Sequence, residues 1–307
     1  MKQFLLSLFI LISMGVVLKA QDEAISSQYI FHPILINPAY SGFKDNHEVL
    51  LNFKNSYSSF VGAPKTYTLS FNGPVAPRLG FGALILNDIA GDYSKFKVQG
   101  SLAYKFELGD VKLNAGIAAQ YTKNQLANGA ILDPRIDPSD PLLLAAANGL
   151  NFFSTSLGIY GEQNGKFKFG IAALDLARTR VDQIQNTTSS SGGLLNYFTA
   201  WVGYKYDVAN YNFSIEPSVA VKRLRYVPFA TDLNLKMNFL DEQLFGGITY
   251  TVGGYQKTTF LIGTRINKFK LFYSYDIALE EFQKYNNGAH ELSLAFDIAA
   301  NVKSSKK

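Results

Sequence analysis

From Thr66 to Asn72 the side chains alternate in character: Tyr67, Leu69 and Phe71 are apolar or aromatic, whereas Thr66, Thr68, Ser70 and Asn72 are polar. Successive side chains of a strand point to opposite faces, so this period of two puts one greasy and one wet face on a single strand. The pattern is longest where Phe96, Val98, Leu102, Tyr104 and Phe106 alternate with Lys95, Lys97, Gln99, Ser101, Lys105 and Glu107. Val111, Leu113, Ala115, Ile117, Ala119 and Tyr121 then alternate with Lys112, Asn114, Gln120 and Thr122. The Gly109-Asp110 turn joins these two segments into a long hairpin. Similar stretches recur at roughly 47–56, 79–87, 152–161, 166–175, 197–206, 211–222, 229–238, 244–252, 258–266, 268–276 and 289–298. The tally is about fourteen strands.

A charged face on strands this long does not suit a soluble core; it could face water on a β-sandwich, and a lumen suits it equally well. The connections add an independent argument. Those after even-numbered strands are short, as at Gly109-Asp110, Gly161 to Gly165, Asp207 to Asn210 and Asn267. Those after odd-numbered strands are often long, above all Lys123 to Gly149 and the Ser-, Thr-, Asn- and Gly-rich Leu176 to Leu195. An even number of strands with tight turns on one side and long loops on the other is the topology of a transmembrane antiparallel β-barrel, tight turns facing the periplasm. A β-sandwich has no reason to segregate its loops so regularly. The Ser-rich stretch Thr187 to Gly193 reads as one of these loops, which leaves a single domain.

The amino-terminal region is different in kind. Lys2, the apolar run Phe4 to Leu18 and the small Ala20 before Gln21-Asp22 read as a signal peptide over 1–20. The apolar run is shorter than the ~20 residues a helical span needs, although Leu18 is bulky for a cleavage signal and the cut remains open. The expected organisation is a signal peptide at 1–20, a periplasmic or lumenal segment at 21–46, the barrel at 47–298 and a polar tail at 299–307. Both termini are expected on the periplasmic side. The mean hydropathy of +0.02 agrees, because inward and outward residues cancel in any average.

Composition narrows the chemistry. Phe and Tyr are abundant, at 24 and 18, while cysteine is absent, which removes disulfides and thiolate metal sites. The net charge of +5 comes from basic residues scattered along strands, so no nucleic-acid partner is expected. His32, His47 and His290 stand at no metal-ligand spacing, and neither a metal nor a cofactor is expected. Asp133, Asp137 and Asp140, interleaved with Pro134, Pro138 and Pro141, offer either oxygen ligands for calcium or a stiff array of turns. His290, Glu291 and Ser293 supply the residue types of a hydrolase, but neighbours on a strand face opposite ways. The chain is therefore read as no enzyme. Gly80-Phe81-Gly82 lies within a strand and is no phosphate loop.

The segment Ser27-Gln28-Tyr29-Ile30-Phe31 followed by Asn37-Pro38-Ala39-Tyr40-Ser41-Gly42 resembles the opening signature of the PorP/SprF family, outer-membrane proteins of the type IX secretion system in Bacteroidetes. The likeness continues in order through Asp137-Pro138-Ser139-Asp140-Pro141, Glu216-Pro217-Ser218-Val219, Thr231-Asp232-Leu233-Asn234-Leu235, Phe272-Tyr273-Ser274-Tyr275-Asp276 and His290-Glu291-Leu292-Ser293-Leu294. It departs at the C-terminus, where a polar tail follows the last strand instead of a terminal aromatic residue. The resemblance implies a non-enzymatic component that supports secretion or surface attachment of cargo proteins, including large gliding adhesins. It implies as partners the C-terminal domain of exported cargo, other secretion components and outer-membrane lipid. Tyr29, Phe31, Asn37, Pro38, Tyr40, Asp137 and Asp140 are the candidate partner-binding residues. Two further readings stay open beside this scaffold: a channel for small hydrophobic or polar solutes, and a lipid-modifying enzyme.

Overall fold

The computed structural model describes residues 25–127, 129, 137, 140–181, 196–208, 211–279 and 287–300. The expected signal peptide and most of the polar tail lie outside them. The strands are β1 (Asn46–Asn55), β2 (Lys65–Ala76), β3 (Leu79–Ala90), β4 (Tyr93–Leu108), β5 (Val111–Leu126), β6 (Leu150–Gln163), β7 (Phe167–Arg180), β8 (Phe198–Tyr204), β9 (Tyr206–Val208), β10 (Phe213–Arg223), β11 (Ala230–Phe239), β12 (Leu244–Gly253), β13 (Lys257–Ile266), β14 (Phe269–Ala278) and β15 (Ala289–Ala299).

Each strand pairs antiparallel with its neighbours in sequence, and the sheet closes where β15 meets β1, for example Val49 opposite Phe296. The short β8 and β9 are two pieces of one stave, since both pair with β10 on either side of Lys205. The result is a closed 14-stranded barrel, the count the alternation predicts. Closure leaves no backbone edge unpaired, which a hydrocarbon surrounding demands.

The two faces follow the sequence pattern. On β2, Thr66, Thr68, Ser70 and Asn72 are buried inside the barrel while Tyr67 and Leu69 are exposed. On β4, Phe96, Val98, Leu102 and Tyr104 are exposed, and Ser101 is buried. Outward Leu51, Ile85, Ile117, Ile171, Val219, Ile248, Phe260 and Leu294 carry the same apolar belt around the circumference. In water such a belt is an aggregation surface; in a bilayer it is the lipid contact.

The connections at one mouth are all tight: 77–78, 109–110, 164–166, 209–212, 240–243 and 267–268. At the other mouth, 56–64, 127–149, 181–197 and 279–288 are long, although 91–92 and 254–256 are as tight as those opposite. The 127–149 connection contains α1 (Pro141–Asn148).

Before β1 the chain makes three 3-10 turns, Ser27–Ile30, Pro33–Leu35 and Pro38–Tyr40, eight of whose ten residues are buried. These turns fill the lumen. The chain enters from the tight-turn mouth, where Gly42 lies against Gly73 and Gly80 near the β2–β3 turn. Gly42 has φ +61°, and a Cβ there would stand 2.8 Å from the Gly73 carbonyl oxygen, so glycine is required on both counts. The segment crosses the lower lumen and then rises, so that the Ile25 carbonyl accepts from Lys54 Nζ, one residue from the end of β1 at the long-loop mouth. The two described ends of the chain therefore lie at opposite mouths, Ala299 among the tight turns and Ile25 among the long loops. An even number of staves returns the barrel's own ends to one mouth, while the lumenal segment carries the described amino end, Ile25, to the other.

Candidate functional site

The distinctive site is the interface between the amino-terminal segment and the barrel wall. Its upper part is built on inward-facing acids. Ser27 donates from its amide to Glu291 Oε2 at 2.8 Å and from its hydroxyl to Asp276 Oδ2 at 2.7 Å, and Ser26 bonds the other Glu291 oxygen. Lys54 and Lys257 reach the same Asp276 oxygen at 3.0 and 2.8 Å, and Asn52 Nδ2 donates to Glu291 at 2.7 Å. Gln28 Nε2 donates to the Glu291 carbonyl at 3.0 Å and to Ser274 Oγ at 3.2 Å. Buried charge is tolerated only when paired and hydrogen-bonded in this manner.

Each of the five amino-terminal candidate residues has an internal partner. The Tyr29 hydroxyl donates to Asp232 Oδ2 at 2.6 Å and accepts from Asn234 Nδ2 at 3.1 Å, and Lys222 lies 4.9 Å from its ring centre. Phe31 stacks on Phe272 at 4.6 Å and meets Phe245 edge-on at 5.9 Å. Asn37 caps the third turn, its Oδ1 accepting from the Ala39 amide at 2.9 Å, while its Nδ2 donates to the Ile159 carbonyl at 2.9 Å. Pro38 is buried at the start of that turn and accepts from Ser41 Oγ at 2.8 Å. Tyr40 packs edge-on against Tyr160 at 5.0 Å. The structure brings these residues together, but as the inner surface of a plug. Their side chains are buried against the barrel wall, and Asn37 and Pro38 also line the cup above the plug.

Below them, His32 Nδ1 stands 3.1 Å from Glu48 Oε1, and Lys270 Nζ donates to the other oxygen, Oε2, at 3.1 Å. Ser41 Oγ bonds Ser101 Oγ at 2.7 Å, and Asn114 Nδ2 donates to the Ser41 carbonyl at 3.1 Å. The backbone of Ala39 packs on Gly116 so closely that a Cβ there would stand 2.8 Å from the Ala39 nitrogen. Above the plug a cup of about 110 Å³ opens towards the long-loop mouth. Its floor includes Ile34 and Leu35, and its walls include Leu86, Lys97, Gln99 and Arg225.

Asp137 and Asp140 lie elsewhere, in the 127–149 connection. Asp137 is exposed, and the Asp140 carbonyl accepts from the Leu144 amide at 3.0 Å, so Asp140 starts α1. Asp133 lies outside the described residues, and no metal-ligating cluster occurs among the described ones. Glu291 points inward to the plug while His290 lies on the other face against Tyr273 Oη at 2.7 Å, so the two share no site.

The wall partners were missed as a site by reading the sequence, yet a signal existed. The ordered fragments after the opening signature contain Glu216, Asp232, Asp276 and Glu291. All four are inward-facing acids, three of which hold the plug, while Glu216 pairs with Lys168 at 2.7 Å. The fragments that contain Asp232, Asp276 and Glu291 and the opening signature are thus two sides of one interface.

A family model described as type IX secretion system membrane protein PorP/SprF matches residues 18–296. The chain belongs to the PorP/SprF family. No curated protein matches. Among solved structures, the Acinetobacter baumannii outer membrane protein Omp33 is similar at 9% identity, with 85% of this chain and 100% of that chain covered and a TM-score of 0.46. A Pseudomonas aeruginosa FadL homologue is similar at 12% identity, with 86% and 92% covered and a TM-score of 0.46. A KdgM porin is similar at 7%, with 81% and 98% covered and a TM-score of 0.39. The barrel assignment of this PorP/SprF protein rests on its own closed sheet. Family and fold together make it an outer-membrane component of the type IX secretion system.

Proposed function

We propose that this protein is a non-enzymatic scaffold that holds exported type IX cargo, such as the C-terminal domain of a large gliding adhesin, at its long-loop mouth. The observation that carries this reading is the filled lumen: a barrel stoppered by its own chain at the tight-turn half is a platform, not a conduit. The long loops, among them the exposed Asp137 and the start of α1 at Asp140, face outward and supply the docking surface. The tight turns and the C-terminal end of β15 face the periplasm, where other secretion components are met, and the apolar belt contacts outer-membrane lipid.

Deleting the gene is expected to abolish surface display of a specific large adhesin while leaving solute uptake unchanged. Normal display in the deletion strain overturns the scaffold. The purified protein in planar bilayers is expected to show no steady conductance. A steady open current from the intact chain would favour the solute channel instead.

A further inference from the structure

We propose that the cup above the plug is a binding site for a small monocarboxylate with a hydrocarbon body, the carboxylate on Arg225 and the body on the leucines of wall and floor.

Inward positions of a wet lumen are polar, as Thr66, Thr68, Ser70 and Asn72 of β2 are. On β3 the rule breaks. Leu84 and Leu86 line the cup while Ile85 between them is exposed on the lipid side, so both faces of this stretch are apolar. Neither leucine belongs to the apolar clusters that the plug makes with the wall around Phe31 and Tyr40. Leu35 of the plug floors the same cup, and Leu174 and Leu224 line it from β7 and from just past β10. Leucines that serve neither the lipid face nor those clusters make a seat for an apolar ligand.

Beside Leu224 stands the polar anchor. Arg225 donates from Nε to Asp175 Oδ2 at 3.0 Å, and its guanidinium lies 4.3 Å from the Tyr197 ring centre. These two contacts orient the guanidinium. Among the described residues no hydrogen bond engages its two Nη groups, the donors whose geometry matches a carboxylate. Its side chain is only 19% exposed, so an anion held there is largely removed from water. Of the ionisable side chains that line the cup, Lys54, Lys97 and Arg225 are cations and Asp175 is the one acid, a balance that favours an anion over an ammonium. A sugar would set hydroxyls against leucine, and a neutral hydrocarbon would leave the guanidinium covered and unpaired. A carboxylate on a hydrocarbon body satisfies both ends, and a cup of about 110 Å³ suits a compact one. The site is independent of which mouth faces outward and of whether cargo docks there.

The chain's one tryptophan reports on the cup. Trp201 lies beside Tyr160 in a crevice that shares Ile36, Asn37 and Thr199 with it. The purified full chain in lipid nanodiscs is titrated with ω-bromooctanoate, whose bromine quenches an indole on contact, and octanoate is the competitor. Calorimetry with octanoate gives a second readout that needs no contact with Trp201. The expected result is saturable binding that octanoate reverses, with ω-bromooctanol about tenfold weaker or worse. Arg225→Gln and Leu86→Gln should each weaken binding about tenfold or more, whereas Arg223→Gln, at an exposed position of β10, should leave it unchanged. Arg225→Lys keeps the charge but not the fork, and it carries the test if Arg225→Gln forms no barrel. No saturable binding by either readout overturns the proposal. So does equal affinity for the alcohol, or unchanged binding in a folded Arg225 or Leu86 variant.

Discussion

Asp276 is the residue on which the plug's upper attachment converges, and removing it gives the sharpest test of the lumenal interface. One carboxylate accepts from Ser27 at 2.7 Å, Lys54 at 3.0 Å, Lys257 at 2.8 Å and Thr259 at 2.7 Å. Asp276→Ala leaves two ammonium groups facing each other in a site almost closed to water, with Glu291, 3.8 Å from Lys54, and the more distant Asp232 as counter-charges among the described residues. Breaking a buried pair by removing one partner costs about 3–5 kcal/mol, because the surviving charge stays desolvated. The expected outcome in urea unfolding of the detergent-solubilised barrel is a loss of that size. The desolvation argument makes a second demand. Replacing all three charges by apolar groups of similar volume, in Asp276→Leu with Lys54→Met and Lys257→Met, should recover part of the loss, since neither ammonium is then stranded and Glu291, which loses Lys54, keeps its hydrogen bonds from Ser26, Ser27 and Asn52. A single variant costing under about 1 kcal/mol, the range of exposed pairs, would refute the account. So would a triple variant no more stable than the single one.

Further outcomes follow from the same geometry. Tyr29→Phe removes a hydrogen bond to a carboxylate and should cost about 1.5–3 kcal/mol in the same unfolding measurement. Gly116→Val drives a side chain into Ala39 and should leave residues 25–43 open to added protease in the purified barrel, whereas Gly100→Val, whose Cβ would meet nothing within 4 Å, should not. Ile85→Lys places a charge on the lipid face near the middle of β3 and should destabilise the barrel by about 2–4 kcal/mol in urea titration from lipid vesicles.

The barrel was legible from residues such as Thr66 to Asn72 because each strand's two faces are written locally, one residue after the next, and because loop lengths alternate along the chain. The strand count and the inward or outward sense of Lys97 or Ile85 need no knowledge of neighbours. The break at Lys205 that divides one stave into β8 and β9 carries no such signal, since both pieces keep pairing with β10.

The plug is a different kind of fact. Ser27 to Gly42 has no periodicity, and its aromatic and turn-forming residues suit a surface contact as well as an internal one. Its partners lie far along the chain, Tyr29 and Asp232 being 203 positions apart. The sequence by itself determined a barrel, its faces and the family to which it belongs, because those depend on local order. Only the tertiary structure decided that Ser27 to Ser41 lie inside the barrel, that Tyr29, Phe31, Asn37, Pro38 and Tyr40 are buried there, and that Ile25 lies at the mouth opposite Ala299. The physical reason is that closing the sheet brings the inward acids of β11, β14 and β15 round to one polar pocket, and the segment that fills it is the one whose donors match.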